Sequence, residues 1–227
     1  MGHLSRKVKE SYQKKYVSLN FSGTFFMDII TKSALEFNKL LSTKYHFVVS
    51  KKRVTRNISL GFASTDFYHI AGLQYLSDVD IKRNRGDTIS LVINGRITDS
   101  LLQKSRFYYG KDGEERSVFN RIEELRNLRQ YIESDNYISI FELRESRTGS
   151  CIDAEYVINS RLRGGIKEVF IFLRKREENE EYGIVSFFVK GKRDYRGEKL
   201  YWMLKERIEE DGSRIILYKH PTFTITQ

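Results

Sequence analysis

The chain has 227 residues, 40% hydrophobic and 31% charged, with 40 Lys+Arg against 30 Asp+Glu, one Cys and one Pro. That length fits one domain, or a domain with an added arm, and the composition excludes a disordered chain and a membrane protein. The lone Cys151 cannot form an internal disulfide, which suits the cytoplasm, and residues 1–60, with 12 Lys/Arg and 3 Asp/Glu, hold a net +9 of the chain's +10, as expected for a polyanion partner.

Residues 1–22 read as a basic arm, because Arg6, Lys7, Lys9, Lys14 and Lys15 come with few regularly spaced apolar residues. Residues 23–227 read as one domain. A helix is expected from Gly23–Thr24 through residue 43, with Phe26, Ile29, Ile30, Leu35, Phe37, Leu40 and Leu41 on its apolar face. Two strand-like runs follow at 45–51 and 56–62, placing Lys51, Lys52 and Arg53 at a hairpin end.

Ser64, Thr65 and Asp66 offer an N-cap for a helix over 66–77. Short helices are expected over 87–93, closed by Asn94–Gly95, and over 99–105, opened by Thr98. The stretch 118–134 reads as one long helix with Val118, Ile122, Leu125, Leu128 and Ile132 on a stripe. After Asp135 the period changes to two, with strands expected over 137–143, 153–160, 168–175 and 182–190. A last hairpin over 200–220 would turn at Asp211–Gly212, a dipeptide suited to a tight primed turn. Helices early and strands late indicate an α+β domain with the N-terminal helices packed on a C-terminal twisted antiparallel sheet. Unpaired sheet edges would make a homodimer an alternative to a monomer.

Phosphate-loop and dinucleotide signatures are absent, and one Cys with His at 3, 46, 69 and 220 cannot give zinc-finger spacing. Asp153 and Glu155, with Lys167 following, are the better of two carboxylate pairs for a Mg²⁺ nuclease, although surface carboxylates at this spacing are common. His69 is the best-placed histidine: it falls at the edge of the stripe of Phe67, Ile70 and Leu73, with Asp66 one turn before it to orient the imidazole and Gly72 one turn after it leaving open space beside the ring. Its plain alternative is a hydrogen-bonded boundary histidine. On 182–190, Ser186, Phe188 and Lys190 share a face opposite Val185, Phe187 and Val189, and Arg174 and Lys175 end the preceding strand. A sheet with one face in water would also place Ser and Lys there. Basic and aromatic residues interleave at Arg106-Phe107-Tyr108-Tyr109, a pattern suited to single-stranded RNA.

Four stretches taken together, 33–52, DFYHIAGLQYLSDVDI (66–81), 93–108 and VSFFVKGK (185–192), resemble the phage-associated barnase–EndoU–colicin–RelE-like nucleases. The likeness is nearest to their fourth subgroup, which has a similar F-x-H-[IL]-x-G-L-x-x-L core, and it spans roughly residues 25–220. The resemblance implies a RelE/barnase-like α+β fold and an endoribonuclease that needs no metal or other cofactor. Such an enzyme would activate the RNA 2′-OH and leave a 2′,3′-cyclic phosphate. It further implies His69 as general base or acid, Ser186 as phosphate ligand, and Lys190 and Arg174 as cations for the transition state. RNA would also meet Lys51, Lys52, Arg53, Arg106 and Tyr108. The expected partners are RNA, tRNA included, and an immunity or antitoxin protein, in keeping with a phage-related toxin or defence effector. The competing reading is a non-catalytic RNA-binding or protein-interaction module on the same fold.

Overall fold

The computed structural model describes residues 18–19, 25–81, 85–110, 117–141, 152–177 and 180–224. The cations of the expected arm lie outside these residues. Ser18–Leu19 (β1), near the end of that arm, pair antiparallel with Phe25–Phe26 (β2) beyond it.

Because Phe25 and Phe26 are spent on this pairing, the first helix, α1, spans Ile29–Leu40 and starts later than the apolar pattern suggested. Its start is fixed from a distance: the Asp99 carboxylate accepts from the amides of Ile29 (2.6 Å) and Ile30 (3.2 Å). Those are two of the donors that a helix leaves open at its N-terminus. Burial pushes the Asp99 carboxyl above its ordinary range.

The hairpin β3 (Lys44–Lys51) and β4 (Val54–Leu60) turns at Lys52 and Arg53, whose φ angles are 48° and 70°. Two successive positive φ values make the primed turn that matches strand twist. The sequence pointed to Asp211–Gly212 for such a turn, but the last hairpin closes through a five-residue loop in which only Gly212 has positive φ.

The helix expected over 66–77 ends early. α2 is Asp66–Ile70, Gly72 adopts φ 77°, and Leu73–Tyr75 form a single 3₁₀ turn. α3 (Thr88–Ile93) closes at Gly95, and α4 (Asp99–Leu102) is capped by Thr98, whose hydroxyl accepts from Leu101 N at 3.2 Å. The long helix expected over 118–134 is two helices, α5 (Val118–Leu125) and α6 (Leu128–Glu133). The break falls at Asn127, whose side chain turns back to Glu124 instead of supporting the helix.

The remaining strands are β5 (Asn136–Ile140), β6 (Tyr156–Arg161), β7 (Glu168–Lys175), β8 (Tyr182–Val189), β9 (Glu198–Ile208) and β10 (Arg214–Lys219). Their arrangement corrects the expected fold. In place of an open twisted sheet carrying helices, seven strands close into a barrel in the order β9-β3-β4-β8-β7-β6-β5 and back to β9. Two features close it. β9 is long enough to pair with β5 through residues 198–200 and with β3 through residues 201–208. On the other side β4 meets β8 in parallel at Leu60 and Tyr182, and Gly61 N donates to Tyr182 O at 3.0 Å. β10 stands outside the ring, paired with β9 alone.

The principal core takes side chains from all seven ring strands and from α1, α2, α3, α5 and α6. A second, aromatic core lies on the opposite face of β6–β8: Val157, Phe170, Phe172 and Phe188 meet Phe141 and Tyr195 there. β6, β7 and β8 are therefore covered on both faces, which explains their nearly continuous apolar runs. Among the described residues no helix is long and apolar enough to cross a membrane.

Candidate functional site

At one end of β7 and β8, beside the aromatic core, lies a polar cavity of about 470 Å³, bordered by α2 and by the chain before β6. His69, Arg174 and Ser186, singled out from three separate places in the sequence, all line it. So do Lys175, Arg176, Asp66, Gln74, Tyr75 and Asp153.

Each side chain arrives by a local cause. α2 is short because Gly72 leaves the helical region, and His69 lies in its last turn, its ring edge-on to Tyr68 at 5.5 Å. The sequence suggested open space at Gly72. The Arg121 stem occupies it, since a Cβ there would sit 2.8 Å from Arg121 Cδ. Ser186 reaches the cavity through a bulge. Phe172 pairs with Ser186 and the next residue, Leu173, with Ile184, so Val185 is the extra residue. The bulge turns Val185 toward the aromatic core alongside Phe188, against the simple alternation expected for this strand.

The cavity is strongly polar and mostly ion-paired. Arg176 holds Asp66 through both guanidinium nitrogens (2.6 and 3.2 Å) and reaches Gly61 O at 3.4 Å. Asp66 also accepts from Ala63 N at 2.8 Å, so it clamps Arg176 and the turn before α2. Arg174 pairs with Asp153 at 2.8 Å, both side chains well exposed, and Lys175 pairs with Glu180. The Gln74 amide donates to His69 O at 3.3 Å, while its buried Oε1 has no partner among the described residues.

The other expected site residues lie elsewhere. Lys190 is outside the cavity lining, bonded to both oxygens of Glu168 (3.0 and 3.2 Å) and 5.9 Å from the Phe170 ring centre. Lys51, Lys52 and Arg53 form the far end of the β3–β4 hairpin, with Lys51 paired to Glu198. The seven residues of β4 separate them from the cavity end, about 20 Å at strand rise. Arg106 is exposed and lies over its neighbour Phe107, its charge facing Asp78 at 3.8 Å. Tyr108 is fully buried and offers no face to a base. Its hydroxyl donates to Asp99, and burial raises its pKa.

The carboxylates considered for a metal are engaged in the protein. Asp153 faces Arg174, and Glu155 accepts from Lys175 N and from the Tyr182 hydroxyl, both at 3.1 Å. Among the described residues, no three His, Cys, Asp or Glu side chains converge. The sequence reading overlooked Arg176, Gln74 and Tyr75. The signal for the first was the basic run Arg174-Lys175-Arg176, whose members alternate faces of a strand end. For the other two it was their place two and three residues beyond Gly72.

A family model described as phage-Barnase-EndoU-ColicinE5/D-RelE like nuclease 4 matches residues 29–220. No curated protein and no solved structure matches the chain.

Proposed function

The chain belongs to this family of phage-associated, barnase-, EndoU-, colicin- and RelE-like nucleases, and on that premise we propose that it cleaves RNA without a metal at the His69 cavity. The observation that carries the reading is that His69, Ser186 and the basic run from Arg174 to Arg176 border one polar cavity.

In the proposed reaction the 2′-oxygen bonds to the adjacent phosphorus as its proton passes to a base. The bond from phosphorus to the 5′-oxygen breaks, and that oxygen takes a proton from an acid. His69 serves as one of these two groups. The products are a 2′,3′-cyclic phosphate and a 5′-hydroxyl. Arg174 would leave Asp153 for the phosphate, a small loss because an exposed ion pair is worth only about 0–1 kcal/mol. Arg176, held by Asp66, keeps β7 and the start of α2 in place, and the Ser186 hydroxyl is the phosphate ligand. Lys190 has no role in this scheme.

The test is incubation of the purified chain with total RNA and tRNA in EDTA, followed by analysis of fragment ends. Fragments ending in 2′,3′-cyclic phosphate are expected, formed about 10²–10⁴-fold more slowly by His69→Ala. Intact RNA despite salt-sensitive binding would replace the enzyme with a non-catalytic binding module. Cleavage abolished by EDTA would instead favour Mg²⁺ chemistry at Asp153 and Glu155.

A further inference from the structure

On the opposite side of the aromatic core from the cavity, two tyrosines stand in solvent: Tyr137 on β5 is 61% exposed and Tyr201 on β9 is 60% exposed. The register Ile138↔Leu200 and Ser139↔Lys199 sets them side by side. The Lys199 ammonium lies between the two rings, 5.2 Å from the Tyr137 centre and 5.4 Å from that of Tyr201. Large aromatic faces left in water beside a cation are the arrangement on which unpaired bases stack while phosphate meets the charge. The hollow that the two rings line also holds Lys205, Glu133 and Asp135, and the neighbouring hollow, which shares Leu200 with it, is lined by Lys51, Lys52 and Arg56, of which Lys51 is paired to Glu198. Trp202 fixes the site: its indole N–H donates to Asn136 O at 2.8 Å and ties β9 to the start of β5.

The position of this surface relative to the cavity follows from strand register. Ser186 pairs with Phe172, Phe172 with Val157, Val157 with Ser139, and Ser139 with Lys199. Directly paired residues point to the same face. Ser186 and Lys199 are thus the two ends of one cross-strand row, four strand spacings apart, about 19 Å measured along the sheet. The row between them is sealed by the aromatic core. A single strand leaving the cavity along this row would cross apolar ground and meet its next base-stacking surface at Tyr137 and Tyr201.

We propose that Tyr137, Lys199 and Tyr201 form a second RNA-binding platform, which holds unpaired nucleotides flanking those in the His69 cavity. The inference rests on the RNA-cleaving reading of that cavity and adds a preference for single-stranded substrates long enough to span both places. A protein partner would use the same rings differently, through packing that a short oligonucleotide does not probe.

The experiment measures binding of fluorescent single-stranded oligomers of about three and about twelve nucleotides to the full chain carrying His69→Ala, which slows turnover enough for a binding measurement. Tyr137→Ala with Tyr201→Ala should cut the affinity advantage of the longer oligomer at least tenfold, as expected from the loss of two stacked bases. Tyr201→Phe, which keeps the ring, should retain the advantage. Lys199→Ala should lower the salt dependence by about one phosphate contact. RNA bound with the length advantage unchanged in the double variant would overturn the platform alone and assign the rings to a protein surface. No RNA binding to any oligomer would overturn both the platform and the cavity reading.

Discussion

Replacing Lys205 with Met should remove the alkaline rise in stability that Lys205 is expected to give the unmodified chain. Lys205 is 3% exposed, 5.0 Å from the Trp202 ring centre, and its ammonium donates to Ser134 O (2.9 Å) and Asn136 Oδ1 (3.3 Å). Burial depresses its pKa from 10.5 to about 8, against the pull of Asp135 and Glu133. Between those two values the folded chain binds fewer protons here than the unfolded chain. Stability therefore increases as pH rises through that window. At 1.36 kcal/mol per unit, the charged side chain costs about 3 kcal/mol near neutral pH, and about 2 kcal/mol of this is relieved by pH 10.

The variant leaves two acceptors without their donor, a loss independent of pH. The buried tyrosines Tyr45 and Tyr182, whose pKa values burial raises, destabilise both chains equally above their unfolded pKa of about 10 and so cancel in the difference. Urea unfolding of both proteins at several values between about pH 7 and pH 10 reads the effect. The difference in unfolding free energy, unmodified minus Lys205→Met, should grow by about 2 kcal/mol across that range. A difference that stays constant would refute the argument, because it would mean that Lys205 titrates alike in both states.

Other perturbations separate stability from activity. Arg53→Gly, at φ 70° in the exposed hairpin turn, should stabilise by up to about 1 kcal/mol, seen as a higher melting temperature. Gly72→Ala meets both φ 77° and the Arg121 stem at 2.8 Å, and should destabilise by about 2 kcal/mol or more in denaturant unfolding. Asp66→Asn breaks the two-pronged contact with Arg176, so a loss of about 1–3 kcal/mol in the same assay is expected. Asp153→Asn removes the exposed carboxylate that competes with phosphate for Arg174. It should tighten RNA binding several-fold at low salt, whereas weaker binding would place Asp153 in the machinery instead.

Local order was legible in the sequence wherever a short-range cause governs it. The runs 168–175 and 182–190 became β7 and β8 to within a residue, because β-branched and aromatic residues bounded by turns specify strands locally. Thr98 capped its helix as expected, and Gly95 closed another. His69, Ser186 and Arg174 line one cavity, though nothing within a single segment joins them. Tyr108 did not keep its place because alternating basic and aromatic residues specify composition, whereas burial is decided by what else packs nearby. In this chain Phe119 and the Asp99 carboxylate take the ring and hydroxyl inward.

The sequence by itself determined most of the helices and strands after residue 28, the uneven charge and the chemistry available on each segment, since these depend on neighbours a few residues away. Tertiary structure decided the closure of the barrel, because alternation says which face of a strand is apolar and is silent on which two edges meet. It decided the start of α1 too, through a carboxylate some seventy residues distant. The same holds for the row from Ser186 to Lys199. It exists only because four successive registers align, and register is a property of pairs of strands and not of any one of them.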